Sequence, residues 1–262
     1  MDLQLEGKTA LVTGSYRGTG QIIARTLLQE GASVLVHGFT QEQAQTAVEA
    51  LGGGMAVSGD ITSSAGSDSL VADVRKQLDS DHVDILINNY GTVERSRWQD
   101  SSEQDWLLAY QQNVLSAQRL IQHFLPAMQQ KRWGRIINLG TIGSTSPNSR
   151  NPAYYSAKGA LATMTVSLAK EVGDSGVGVN LVSPGLILTP EVQAAYLEKG
   201  QREGWGETWE DIEPRVAADI PTRRIARREE IAALVAFLCS PLAAAIHGEN
   251  LHVDGGGLGV VT

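Results

Sequence analysis

Residues Thr9 to Gly20 read TALVTGSYRGTG, and the way this stretch folds decides the architecture of the chain. Ala10, Leu11 and Val12 form a short apolar run of the kind that fills a buried parallel strand. Gly14, Gly18 and Gly20 interrupt it, and Ile22, Ile23, Ala24, Leu27 and Leu28 follow at helical spacing. Strand, glycine turn and helix in succession bring bare backbone N–H groups and the positive end of a helix dipole against a pair of phosphates. The turn is shaped for a dinucleotide. Its form, G-x-x-x-G-x-G, differs from the commoner G-x-G-x-x-G, and a lone turn of either kind also serves as a plain strand-to-helix connection. Its meaning therefore rests on the rest of the chain.

Outward from the turn, apolar strands alternate with amphipathic helices. Strands are expected at 9–13, 33–37, 55–58, 85–88, 135–139, 177–182 and 250–253, and helices near 18–30, 41–51, 66–80, 103–130, 153–173 and 227–239. Strands that are apolar almost throughout, each followed by a helix, imply a parallel sheet covered on both faces. Right-handed crossovers make this an α/β fold, a doubly wound Rossmann-type sheet of about seven strands with its ligand crevice at their carboxyl ends. The chain has 262 residues with no Pro/Ser-rich linker, charge block or repeat, so residues 1–262 are expected to form one domain. Substrate choice is expected between Pro190 and Arg224, a polar segment with Trp205 and Trp209 among glycines, which reads as a mobile lid (190–224) rather than a sheet element. The two tryptophans either dock this lid on the core or touch substrate.

Composition narrows the partners. A formal charge of −8 argues against nucleic acid and anionic membranes. The longest apolar run is far short of a membrane span, and the start MDLQLEGK has neither the basic head nor the apolar core of a signal peptide. The single cysteine, Cys239, lies among Leu234, Val235, Phe237 and Leu238 and reads as a core thiol in a reducing compartment. A soluble, unprocessed cytoplasmic protein without a metal is the expectation.

Candidate binding residues stand at strand ends. The second strand closes on His37, Gly38, Phe39 and Thr40, with no carboxylate to repel a ribose 2′-phosphate, and Arg17 in the glycine turn can supply a charge-assisted bond to that phosphate. This favours NADP over NAD and leaves dual use open. After the third strand, Asp60 either accepts from an adenine amino group or caps the helix that starts near Ser63 or Ser64. The fourth strand ends Asn88-Asn89-Tyr90-Gly91, two amides and a glycine suited to close approach of a cofactor ribose.

In these residues the chain resembles the short-chain dehydrogenase/reductase family. The family's T-G-x-x-x-G-x-G turn, D-[VI] pair and N-N-A-G segment match Thr13 to Gly20, Asp60-Ile61 and Asn88 to Gly91, with Tyr90 where alanine is usual. The resemblance implies cofactor contacts from Gly14, Ser15, Tyr16, Arg17, Gly18, Thr19 and Gly20, joined by His37 and Phe39 after the second strand. It adds Asp60, Ile61, Asn89, Tyr90 and Gly91, and the family's P-G-x-x-x-T segment adds Pro184, Gly185, Ile187 and Thr189. There the Ile187 backbone and the Thr189 hydroxyl would hold the nicotinamide carboxamide. In the helix near 103–130, Trp106, Tyr110, Val114, Ala117, Leu120, Ile121 and Phe124 read as core or subunit contact. Asn113 among them reads by itself as a satisfied buried amide. The resemblance implies that it bends the backbone and holds a water joining the catalytic lysine to solvent.

The chemistry is expected from Tyr154 to Lys158, YYSAK, since residues four apart share a helix face. A phenol titrates near 10, so acid/base work at pH 7 needs about 4 kcal/mol of preferential phenolate stabilisation. One positive charge at about 4 Å contributes on that order at an effective dielectric near 20. Tyr155 would need a lysine at Gly159 to make the same pair. Thr141 stands where the family carries its catalytic serine and keeps the hydroxyl that donates to a carbonyl oxygen; Ser144 is the alternative if the loop register is shifted.

The implied reaction is hydride transfer between NADP(H) and a small carbonyl or secondary alcohol, with Tyr154, Lys158, Thr141 and Asn113 as the catalytic set. Reduction of 3-oxoacyl carrier-protein thioesters is the family's commonest label, yet Asp174-Ser175-Gly176 replaces an arginine-bearing S-R-G stretch, which weakens docking of an acidic carrier. A sugar, polyol, ketone or steroid-like alcohol stays open. Alternatives are an NAD-dependent sugar or polyol dehydrogenase and a catalytically weak dinucleotide-binding regulatory protein. The family also implies a homodimer or homotetramer, and Ala157, Gly159, Ala160 and Ala162 permit close helix contact.

Overall fold

The computed structural model of the chain describes residues 1–80 and 82–260. Its main sheet has seven strands: β1 (Thr9–Val12), β2 (Ser33–Gly38), β3 (Met55–Ser58), β4 (Ile85–Asn88), β5 (Gly134–Leu139), β6 (Val177–Pro184) and β9 (Asn250–Val253). They lie in the order β3-β2-β1-β4-β5-β6-β9 and every pairing is parallel. The order reverses at β1, between β2 and β4, which opens a crevice at the carboxyl ends.

Strand pleating splits the core in two. Ala10, Val12, Val34, Val36, Ile85 and Ile87 point to the face covered by α1 (Gly18–Gln29) and α9 (Arg228–Cys239). Leu11, Leu35, Leu86, Ile136, Val179 and Leu181 point to the opposite face, under α3 (Ser64–Leu78), α5 (Ser116–Lys131) and α6 (Pro152–Val172). Each such Val, Leu or Ile side chain, fully buried, contributes about 1.5–3 kcal/mol. Cys239 is wholly buried in the first layer, and burial pushes its thiol up to about 12, so it is an inert core group.

Two elements depart from the sequence expectation. The helix expected over 103–130 is broken into α4 (Glu103–Tyr110), a π-helical turn at Gln111–Leu115, and α5. Asn113 accounts for the break: its Nδ2 donates to the Ala109 carbonyl at 3.0 Å and to the Thr92 carbonyl at 2.9 Å, and its Oδ1 accepts from the Thr92 N–H at 3.2 Å. The polar segment 190–224 folds as two helices, α7 (Pro190–Arg202) and α8 (Trp209–Val216), next to a small parallel pair, β7 (Ile187–Leu188) and β8 (Ala226–Arg227). Trp209, Ile212, Ala217 and Ile225 form its own apolar cluster, so Trp209 docks the segment instead of facing a ligand. The Trp209 indole N–H and the Arg227 guanidinium both donate to Glu213, at 3.0 and 2.9 Å, and Arg224 grips Glu230 with two bonds. Among the described residues no helix is long and apolar enough to cross a membrane.

Candidate active site

The glycine turn departs from β1 with Gly14 and Gly18 at φ +62° and +64°, a left-handed backbone that side chains disfavour. Gly20 allows the helix to start against the turn: a Cβ there would strike the Asn89 amide nitrogen and lie 2.7 Å from the Gly14 carbonyl oxygen. Asn89 braces the turn by donating to the Thr13 carbonyl at 2.8 Å.

A crevice of about 560 Å³ runs from this turn along the strand ends. Gly14, Tyr16, Arg17, Gly18, Thr19 and Gly20 line one end together with Phe39 and Tyr90, and Asn89 and Gly91 its middle. Tyr154, Lys158, Pro184 and Ile187 line the other end. Among the expected cofactor residues, six stand elsewhere. His37 is wholly buried: its Nδ1 accepts from the Gly14 N–H and its Nε2 donates to the Gly59 carbonyl, both at 2.9 Å. Burial lowers its pKa to about 4, so it is a neutral clamp between strand ends and has no face left for a ligand. Ser15 is buried beside it, donating to the Val12 carbonyl at 2.6 Å and accepting from the His37 N–H. Ile61 is core. Asp60 turns its carboxylate onto Thr62, and Ser63 is the cap of α3, accepting from Gly66 at 3.0 Å. Thr189 caps α7 by accepting from Val192, and Gly185 packs against Asp254.

At the far end, the two tyrosines separate. Tyr155 accepts a bond from Asn148 at 2.8 Å and its ring fills the space beside Gly143. Tyr154 lines the crevice, with Lys158 Nζ 6.0 Å from its ring centre. Burial pushes the Tyr154 phenol up to about 12 and the Lys158 ammonium down to about 8. The expectation that one lysine nearly suffices to bring the phenol to neutral pH is thus not met by the chain alone, because both groups are dry. Lys158 donates to the Leu139 carbonyl at 2.8 Å. Ser144 spends its proton on the Thr141 carbonyl at 2.7 Å, whereas Thr141 accepts from the Gly143 N–H at 3.2 Å and keeps its own proton.

A second cavity, about 530 Å³, adjoins the crevice and shares with it Thr92, Glu94, Gln112 and Tyr154. Its remaining wall carries Arg95, Arg97 and Arg150 against Asp100 and Asp105. Asn151, at φ +55°, pins this wall: its N–H donates to the Ser96 carbonyl at 2.9 Å and its Oδ1 accepts from the Ser96 N–H at 3.1 Å. Gln112 is a site residue that the sequence reading missed. Its Oε1 is buried with no hydrogen-bond partner among the described residues, at the junction of both cavities. Its neighbour Asn113 was the available signal, since a π turn widens the helix and lets consecutive side chains serve one site. Glu191 was also missed; it lies 3.7 Å from Arg17 across the crevice mouth, both side chains being exposed.

The crevice volume, the glycine cradle and the absence of a carboxylate on its wall at the end of β2 fit a phosphorylated dinucleotide. Comparison with known proteins agrees. A family model described as enoyl-(acyl carrier protein) reductase matches residues 14–257. The 3-oxoacyl-[acyl-carrier-protein] reductase of Escherichia coli (strain K12) is 36% identical over 255 residues, covering 97% of this chain and 98% of that protein. An uncharacterised oxidoreductase of Bacillus subtilis (strain 168) is 35% identical, covering 98% of each. The crystal structure of L-sorbose reductase from Gluconobacter frateurii, complexed with NADPH and L-sorbose, superposes with a TM-score of 0.90 at 32% identity and full coverage of both chains. Strand order, glycine turn, the tyrosine–lysine helix and these likenesses together make the chain a member of the short-chain dehydrogenase/reductase family of NAD(P)-dependent oxidoreductases.

Proposed function

We propose that this enzyme reduces a small polyhydroxylated ketone, with Tyr154 as the proton donor. The observation that carries the reading is the second cavity, which meets the crevice at Tyr154 and is walled by charges of both signs. An acyl chain there would strip water from arginines and carboxylates without replacing their hydrogen bonds, at a cost per group above the roughly 1–3 kcal/mol of an unpaired neutral polar group. Hydroxyl groups donate to carboxylates and accept from guanidinium groups, so a sugar-like substrate meets no such cost. The likeness to L-sorbose reductase supports the same substrate class.

When bound, NADPH supplies the hydride that adds to the carbonyl carbon. The chain supplies the proton and its geometry. Tyr154, held protonated by burial, donates to the carbonyl oxygen, and the Thr141 hydroxyl donates a hydrogen bond to the same oxygen. Lys158 and Asn113 both flank Gly91, and Asn113, bonded to the Thr92 backbone, would position the lysine. Arg17, which lines the crevice, would bind the 2′-phosphate. The test is NADPH consumption with L-sorbose, D-fructose, cyclohexanone and acetoacetyl-coenzyme A. The reading stands if a ketose has the highest kcat/KM and falls if the thioester exceeds every ketose by more than about tenfold.

The same proposal includes a homodimer or homotetramer paired through α4 and α6, because Leu107 and Leu108 on α4 and Val166 on α6 leave apolar side chains exposed. A cytoplasmic location and no nucleic-acid partner are proposed from the acidic balance and the lone buried thiol.

A further inference from the structure

Three aromatic rings gather at the end of the crevice farthest from Tyr154. Phe39 follows β2, Tyr90 follows β4, and Tyr16 belongs to the glycine turn between them. Because β1 lies between β2 and β4, Phe39 and Tyr90 reach toward each other over its carboxyl end, and their ring centres stand 5.0 Å apart at 66°. Tyr16 meets Phe39 near-perpendicularly, with ring centres 6.4 Å apart. A Rossmann-type turn needs none of these rings to form, and the family resemblance offers alanine at the Tyr90 position.

The direction of the dinucleotide follows from the two ends of the crevice. Its reacting ring must lie at Tyr154 and Lys158, so its adenosine half lies at β2, over the first strand–helix–strand unit. The Tyr90 backbone is fixed at that end. Its N–H donates to Thr13 Oγ1 at 3.0 Å, and its Cβ would lie 3.3 Å from a Cβ on Gly14. Sandwiching a base between two rings requires twice a contact distance of about 3.5 Å. The 5.0 Å gap to Phe39 is too small, so a base lies on a ring face and not between the two.

We infer that the Tyr90 ring, buttressed edge-on by Phe39, is the platform on which the adenine of the dinucleotide stacks. Tyr90 therefore sets affinity for the adenine half, while Arg17 sets the preference for the 2′-phosphate. Burial, with Asp60 and Tyr16 in electrostatic range, pushes the Tyr90 phenol up to about 12, so the platform adds no negative charge beside the phosphates.

The experiment is calorimetric titration of the full-length protein with NADPH and with NADH, for wild type, Tyr90→Ala, Tyr90→Phe and Arg17→Ala, each checked for an unchanged melting temperature. Loss of one base–aromatic stack is expected to raise both dissociation constants for Tyr90→Ala by the same factor, about 5- to 100-fold. Tyr90→Phe should bind both nucleotides within about threefold of wild type, since the ring face is retained. Arg17→Ala should weaken NADPH alone. The inference is overturned if Tyr90→Ala binds as wild type does, if it binds more tightly because the ring merely obstructs the slot, or if it weakens NADPH without weakening NADH. Should Tyr90→Ala melt early, equal weakening by the folded Tyr90→Leu variant, with Tyr90→Phe unchanged, supports the platform; unchanged binding by Tyr90→Leu overturns it.

Discussion

Asn113 and Lys158 converge on Gly91: a methyl group on that glycine would lie 2.7 Å from Asn113 Oδ1 and 2.8 Å from Lys158 Nζ. Asn113 is held by three hydrogen bonds to backbone, so the lysine end is the partner that gives way. Gly91→Ala is expected to fold and to lose about 10- to 100-fold in kcat, because displacement of a positioning group by an ångström costs on that order. Steady-state assays beside a thermal melt check this; full activity in Gly91→Ala would show that the lysine does not need its present position.

The adjacent phenols make a paired prediction. Tyr154→Phe removes the proton donor and should lower kcat by about 10²- to 10⁴-fold with NADPH binding retained. Tyr155→Phe loses only the bond from Asn148, at the exposed rim, and should stay within about threefold of wild type. The opposite ranking would exchange the roles of the two residues.

Gln112 offers an amide whose acceptor oxygen is buried and unpartnered among the described residues. Gln112→Leu should raise KM for a ketose by about tenfold, the value of one lost hydrogen bond, and leave cyclohexanone turnover unchanged. An equal loss for both substrates would mean that the side chain serves the fold.

His37 links stability to acid. Its folded pKa of about 4 lies below its ordinary value of 6.5, so between these values the unfolded chain binds a proton that the folded chain does not. Stability therefore rises with pH across this window and is lost on acidification, by roughly 2 kcal/mol between pH 7 and 5. For a chain of this size that is about 4–8 °C in Tm. His37→Gln cannot titrate, and its Tm should fall less over the same range; parallel curves would assign the acid sensitivity to other groups.

Much of the architecture was legible in the residues because its causes are local. The starts at Met55, Ile85 and Asn250 and the helix over 41–51 were read as they stand, since apolar runs, the Thr40–Gln43 capping box and the left-handed Gly52 act within a few residues. The glycine turn was legible for the same reason. The helices of 190–224 also carried local signals, Thr189-Pro190 and the Thr208–Asp211 box, but their few apolar residues fail to suggest a core until Trp209 and Ile212 meet Ile225 from the far side of the segment.

The amino-acid order by itself determined the strand and helix succession, the nucleotide turn and the tyrosine–lysine spacing, all of which depend on neighbours in the chain. Tertiary structure alone decided that His37 is sealed between strands, that Asp60 faces Thr62, that Asn113 opens a π turn, and that Gln112 stands between two cavities. The reason is physical: whether a polar side chain is a ligand, a brace or a cap depends on which distant donors and acceptors reach it after the sheet assembles, and periodicity carries no information about those partners.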